Sequence, residues 1–227
     1  MMSLEAVLLD LDGTLVDSAE DLRDALNEIL GRQGLRPVTP AEVRAMIGDG
    51  VLKLVERGLT RTGGDPARAA DLVPAFLEAY EPRASRKTVL YPGVLDTLRR
   101  LRAAGLRLAV VTNKPEAATR QILDALGLAG LIEVVIGGDT LPRRKPDPAP
   151  VAAALRALGI APEAAAMVGD NHHDVEAGHG AGLRTVLVGY GYAHGAPATL
   201  GADRVIDAFA DLPQALRDLG FAWPGKG

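Results

Sequence analysis

The stretch Ala6-Val7-Leu8-Leu9-Asp10-Leu11-Asp12-Gly13-Thr14 begins with four apolar residues and stops on two aspartates and a glycine. Consecutive apolar residues without alternation read as a strand buried on both faces, the pattern of a parallel sheet. The same pattern recurs downstream. Residues 106–111 run into Thr112-Asn113-Lys114-Pro115, residues 134–136 into Gly137-Gly138-Asp139, and residues 165–168 into Gly169-Asp170. Residues 185–188 make a fifth run and 205–206 a weaker sixth. Helical stripes lie between them: Leu95, Leu98 and Leu101; Ile122, Leu123 and Leu126; Val151, Ala154, Leu155 and Leu158. Gly105, Gly127 and Gly159 follow these stripes where helices end. Strand alternating with helix predicts an α/β fold with a doubly wound, parallel-sheet (Rossmann-like) core.

One interval is too long for this rhythm. Residues 11–105 separate the first two runs, well beyond an ordinary strand–helix–strand crossover of a few dozen residues. The insertion reads as helices. Leu22, Ala25, Leu26, Ile29 and Leu30 repeat at helical spacing, and residues 51–59 and 69–80 supply further helices. Thr39-Pro40-Ala41-Glu42 is a capping box with proline at the first helical position. Segments 13–18 and 81–92 are expected to act as hinges, the second bracketed by Pro82 and Pro92. The predicted organisation is an α/β core of residues 1–18 plus 83–227 and a smaller all-helical cap domain of residues 19–82, ending in a loose tail after Trp223.

Composition excludes several functions. There is no cysteine, which removes disulfide frameworks, thiol catalysis and thiolate metal sites. Net charge is −4, so a nucleic-acid partner, which needs a basic face, is not expected. The first thirteen residues lack a basic start and a small-residue cleavage site, and Asp10 and Asp12 break their apolar run. No stretch reaches membrane-spanning length. The expectation is a cytoplasmic protein, monomer or homodimer, without a membrane partner.

Ligands bind at the carboxyl ends of strands in open α/β sheets, and the polar stops all fall there. Asp10, Asp12, Asp170 and Asp174 would then share one crevice with Lys145. Several carboxylates in a small volume need more positive charge than one lysine provides. An all-oxygen set points to a divalent cation, Mg2+ before others. Thr112 and Asn113 precede Pro115, read as the first residue of a helix, and Asp147-Pro148 starts another. Helix starts offer free N–H groups to phosphate.

Asp10-Leu11-Asp12-Gly13-Thr14-Leu15, Thr112-Asn113, Lys145-Pro146 and Gly169-Asp170 with Asp174 resemble, in order and spacing, the four motifs of the haloacid dehalogenase superfamily of phosphotransferases. The helical insert after the first motif is similar to one cap type of that superfamily. Ile47-Gly48-Asp49-Gly50, residues 135–140 and the segment 189–195 further resemble phosphoglycolate phosphatases. Asp49 stands where that pattern has Asn, and Asn171-His172-His173 replaces a Ser-containing stretch. The resemblance implies an aspartyl-phosphate mechanism on a small phosphorylated metabolite. Asp10 would be the nucleophile and Asp12 the acid and base. Asp10, the Asp12 carbonyl and Asp170 would hold Mg2+. Thr112, the Asn113 backbone and Lys145 would hold the phosphoryl group, with Asp174 supporting Lys145 or a metal-bound water. Gly13 would permit the turn that brings backbone N–H groups to phosphate, and Asp49 would face the substrate from the cap. Lys53 and Arg57, one and two turns beyond Asp49, are candidates for a substrate carboxylate.

His172 and His173 are adjacent at a helix start and point in different directions, so they read as cap contacts and not as joint ligands. His179 and His194 read as ordinary. Other ester classes remain open within this chemistry: sugar phosphates, amino-sugar phosphates, nucleotides, or a phosphomutase reaction. A different class is a receiver-like phospho-acceptor without turnover, which shares strand-end Asp, Thr and Lys. It has no use for a leaving-group acid or a cap of this size.

Overall fold

The computed structural model of the chain describes residues 2–193 and 195–224. His194 and the last three residues of the expected tail lie outside the described residues. The apolar runs are strands: β1 (Ala6–Leu9), β2 (Arg107–Val111), β3 (Val134–Ile136), β4 (Ala165–Gly169), β5 (Arg184–Val188) and β6 (Arg204–Ile206). They form one six-stranded sheet in the order β3-β2-β1-β4-β5-β6, and every pairing is parallel. All of β1 and β4 is buried, which is why their sequences carry no polar alternation. The strand order reverses between β1 and β4, the switch point at which doubly wound sheets open a ligand crevice.

Helices α1 (Ala19–Arg32), α2 (Pro40–Arg44), α3 (Val51–Thr62) and α4 (Ala69–Tyr80) fill the long interval. Helices α5 (Val94–Ala103), α6 (Glu116–Ala125), α7 (Ala149–Leu158), α8 (His172–Gly180) and α9 (Leu212–Asp218) belong to the sheet. In the insertion α1 packs on α4, and α3 packs on α4. Leu26, Ile29, Val55 and Phe76 form its buried centre, at the helical spacing that the sequence displays. Thr39 caps α2, and Glu42 returns the bond in a full capping box.

One helix start differs from the sequence reading by one residue. Pro115 lies just before α6, with ψ 140, and its carbonyl accepts the first helical bond from Thr119 at 3.0 Å. A proline has no N–H to lose just before a helix or at its first position, so composition alone does not separate the two. Asp147-Pro148 starts α7 as expected: Asp147 Oδ1 accepts the Ala149 amide at 2.8 Å, and the Pro148 carbonyl accepts from Ala152 at 2.9 Å. The segments expected to be hinges are joined to each other. Val16–Asp17 pairs antiparallel with Val89–Leu90, and buried Asp21 accepts bonds from the Lys87 and Thr88 amides and the Thr88 hydroxyl. Among the described residues no helix is long and apolar enough to cross a membrane.

Candidate active site

The chain leaves β1 at Asp10, whose N–H donates to the Val168 carbonyl at 2.9 Å. It then turns sharply: the Leu11 carbonyl accepts from the Thr14, Leu15 and Val16 amides. Gly13 has φ +87, and a Cβ there would stand 2.3 Å from Asp170 Oδ2. Only glycine fits both the left-handed backbone and that approach. Its own N–H donates to the Val16 carbonyl, so it is spent within the turn and not aimed outward.

Asp10, Asp170 and Asp174 bring carboxylate oxygens within 4.8 Å of one another. Lys145 enters from the loop after β3, with its side chain only 2% exposed. It pairs with Asp174 at 2.5 Å and Asp10 at 3.0 Å. The second Asp174 oxygen accepts the amides of Asp170 and Asn171, fixing the start of α8. Asp170 Oδ2 accepts the Tyr192 amide at 2.5 Å. Burial pushes Asp10 up to about 6, against the pull of Lys145. Burial and then the Asp174 and Asp10 charges push Asp170 well above the ordinary carboxylate range. Burial also opposes the Lys145 charge, but Asp10 and Asp174 more than offset it and raise its pKa. Three crowded carboxylates with one lysine form an all-oxygen donor set short of positive charge, which fits a hard divalent cation. Asp174, expected in a supporting place, is part of this group.

The Asp12 carboxylate stands apart from that cluster. Its Oδ1 accepts the Ser18 hydroxyl at 2.6 Å. Lys114 Nζ donates to its two oxygens at 3.0 and 2.9 Å. Lys114 is buried, 3% exposed along its side chain, and sits 4.8 Å from the centre of the Tyr80 ring. Asp10, Asp12, Thr112, Asn113 and Lys114 line one cleft of about 480 Å³, opposite Tyr80 and an apolar wall from the insertion. The Thr112 hydroxyl accepts the Lys114 amide at 3.3 Å. The Asn113 side-chain amide donates to the Gly48 carbonyl at 3.1 Å and the Lys145 carbonyl at 3.0 Å, tying insertion to core.

The insertion residues singled out from the sequence lie differently from one another. Gly48 and Gly50 line the cleft. The Asp49 carboxylate is engaged by His173 Nε2 at 2.7 Å and Arg57 at 2.5 Å. Arg57 also donates to the Met46 carbonyl. Lys53 is half exposed and pairs with Glu56 at 2.8 Å. His173 therefore meets the insertion, with its neighbour's ring 3.8 Å away; burial lowers its pKa against the pull of Asp49. His179, in the last turn of α8, meets Asp203 and Thr185.

Lys114, Ser18, Tyr80 and Tyr192 escaped the sequence reading. Lys114 had one available signal, a cation between an apolar strand and a helix start. The others had none, because their partners come from distant parts of the chain.

The family model described as haloacid dehalogenase-like hydrolase matches residues 7–188. The chain belongs to this family. A phosphoglycolate phosphatase of Rhodospirillum rubrum is 44% identical, across 97% of this chain and 93% of that protein. The crystal structure of a predicted phosphoglycolate phosphatase from Haemophilus somnus 129pt superposes with TM-score 0.88 at 33% identity, covering 94% and 98% of the two chains. CbbY from Rhodobacter sphaeroides, solved in complex with phosphate, gives 0.79 at 32% identity over 93% and 96%. With this family and these relatives along nearly its whole length, this haloacid dehalogenase-like hydrolase is a phosphoric monoester hydrolase of phosphoglycolate phosphatase type. The phospho-acceptor reading is set aside.

Proposed function

We propose that the chain is a Mg2+-dependent phosphatase that hydrolyses 2-phosphoglycolate to glycolate and phosphate through a phosphorylated Asp10. The observation that carries this reading is the separation of two aspartates at one strand end. Asp10 and Asp12 line the same cleft, yet Asp10 pairs with Lys145 while Asp12 is held by Ser18 and Lys114. In the first step an Asp10 oxygen bonds to phosphorus as the bond from phosphorus to the leaving oxygen breaks. Asp12 passes a proton to that oxygen, and an alcohol leaves. In the second step Asp12 takes a proton from water as the water oxygen bonds to phosphorus. The bond from phosphorus to Asp10 breaks, phosphate leaves, and Asp10 is a free carboxylate again. Thr112, the Asn113 backbone and Lys145 hold the phosphoryl oxygens through this exchange, and Asp174 keeps Lys145 aimed. Gly13 keeps the turn tight beneath them.

Asp10, the Asp12 carbonyl and Asp170 are the proposed ligands of Mg2+. When bound, the ion offsets negative charge on the transferring group. Residues 19–82 act as a cap on the core formed by 1–18 and 83–227, excluding bulk water from the phosphoenzyme. Asp49, bonded to His173 of the core, serves to seat that cap.

Metal binding has a thermal signature. Asp10 has its pKa raised from 3.8 to about 6 in the folded protein. Its contribution to stability is therefore full below pH 3.8 and is lost as pH rises through about 6. Mg2+ should restore it. At about a hundredfold excess over its Kd, Mg2+ should raise Tm by roughly 5–10 °C near neutral pH. The gain should be smaller at about pH 5, where protons compete for the same carboxylates. Asp170→Asn should abolish it. An equal gain at both pH values would contradict the assigned ligands.

The substrate is tested by phosphate release from a panel of 2-phosphoglycolate, sugar phosphates and nucleotides, with Mg2+ and with EDTA. An EDTA-sensitive preference for 2-phosphoglycolate is expected. The second reading, a sugar phosphate, is supported by the likeness to a CbbY variant solved with xylulose-(1,5)bisphosphate, with TM-score 0.78 at 32% identity. Preference for a sugar phosphate in the panel would favour it.

A further inference from the structure

A leaving group whose oxygen meets Asp12 must lie against the wall of the cleft beyond it. That wall is apolar on the insertion side, with Leu22, Ile47, Val51 and Leu54. Among the described residues that line the cleft, the cation is Lys114. Two donors of its ammonium reach the Asp12 oxygens, and the ammonium also interacts with the Tyr80 hydroxyl. Beside it stands Tyr80, 1% exposed, whose buried hydroxyl interacts with the Lys114 ammonium and finds no acceptor for its own proton among the described residues. A buried donor left without an acceptor is costly and calls for an explanation. The cations expected to meet a substrate carboxylate are engaged elsewhere, Lys53 by Glu56 and Arg57 by Asp49.

We propose that Lys114 and the Tyr80 hydroxyl form the subsite that binds the carboxylate of the leaving group. The enzyme would thereby select small phosphate esters that carry a carboxylate on the ester carbon. This deepens the phosphatase reading and rests on it. A carboxylate seated beside this pair would accept the phenol proton and an ammonium proton together, two donors of the kind it prefers. The same wall disfavours a polyol. Hydroxyls pressed against Leu22, Ile47 and Leu54 would give up water without gaining partners. Specificity then comes from one charge-assisted contact on the core and one hydroxyl on the insertion, so that only a carboxylate engages both sides of the closed cleft.

The decisive pair of substrates is 2-phosphoglycolate and 2-hydroxyethyl phosphate, in which a hydroxymethyl group replaces the carboxylate. Both leave as alkoxides and both need the acid, so any effect on Asp12 cancels in their ratio. Wild-type protein is expected to favour 2-phosphoglycolate by about 10- to 100-fold in kcat/KM, the range of a hydrogen-bonded charge. Lys114→Met should erase most of that preference, and Tyr80→Phe should reduce it several-fold. Binding to the Asp10→Asn protein, measured by calorimetry, should show the same order for the two ligands without turnover. Equal losses on both substrates in Lys114→Met would overturn the subsite and leave Lys114 as a partner of Asp12 only. Should Lys114→Met fail to fold, Tyr80→Phe with an unchanged ratio overturns it. Wild-type turnover of several esters without preference for the carboxylate sinks the subsite and leaves the phosphatase reading intact. Absence of turnover on every ester sinks both.

Discussion

Asp10→Asn is expected to fold as the wild type does and to release phosphate from 2-phosphoglycolate about 10⁴-fold more slowly or worse, as loss of a covalent nucleophile does elsewhere. The substitution is isosteric. It removes one of three carboxylates that crowd within 4.8 Å, so repulsion from Asp170 and Asp174 falls while the Lys145 pair with Asp174 survives. Stability and activity should therefore separate: a thermal melt near the wild-type midpoint, with turnover gone. An amide oxygen is too weak a nucleophile to displace an alkoxide from phosphorus. Activity retained within about tenfold would remove Asp10 from the reaction.

Asp12→Asn should have a different signature, dependent on the leaving group. With 2-phosphoglycolate the alkoxide needs a proton as it departs, and loss of the acid should cost about 10²- to 10⁴-fold. With p-nitrophenyl phosphate the departing phenolate is stable unprotonated, so the first step should proceed. The second step still lacks its base. The expected result is a burst of nitrophenolate stoichiometric with enzyme, followed by near arrest, seen by stopped-flow absorbance. The two buried partners of Asp12, Ser18 and Lys114, remain to hold the asparagine in place. Equal slowing of both substrates without a burst would contradict an acid–base role for Asp12.

Much of the fold was legible because burial on both faces writes itself into the sequence. Ala6–Leu9 and Ala165–Gly169 are wholly buried strands, and nothing polar can interrupt them except at their ends. The chemistry collects where each run stops, so Asp10, Thr112, Lys145 and Asp170 could be read together before any geometry was known. The helix start at Pro115 is displaced by a residue, because proline is equally compatible with the cap and the first turn.

Side-chain partnerships across the chain were not legible. Asp49 was expected to face the substrate, yet its carboxylate meets His173, more than a hundred residues away, and Arg57, two turns along. Lys53 and Arg57 have the right charge and the right helix but lie on faces that do not line the cleft. Lys114 sits in the Thr112–Pro115 stretch, where the sequence alone assigns it no role. Its partners Asp12 and Tyr80 come from a strand end and from the last residue of α4, and no local spacing signals that encounter. Tyr192 lies in the segment 189–195, whose sequence gives no sign of its partners. Its amide binds Asp170, and its hydroxyl donates to Asp17 at 2.6 Å and accepts the Ser18 amide at 2.9 Å. One tyrosine thereby links the carboxylate cluster to the segment that leads into the insertion.

The most direct test of the central claim is to stop the wild-type enzyme in acid during turnover of 2-phosphoglycolate with Mg2+ and to map the phosphoryl group by peptide mass spectrometry. A single phosphoryl group on the peptide carrying Asp10, absent when Asp10→Asn protein is treated in the same way, is the predicted result. Steady release of phosphate with no modification at Asp10, or with the label on another residue, would contradict it.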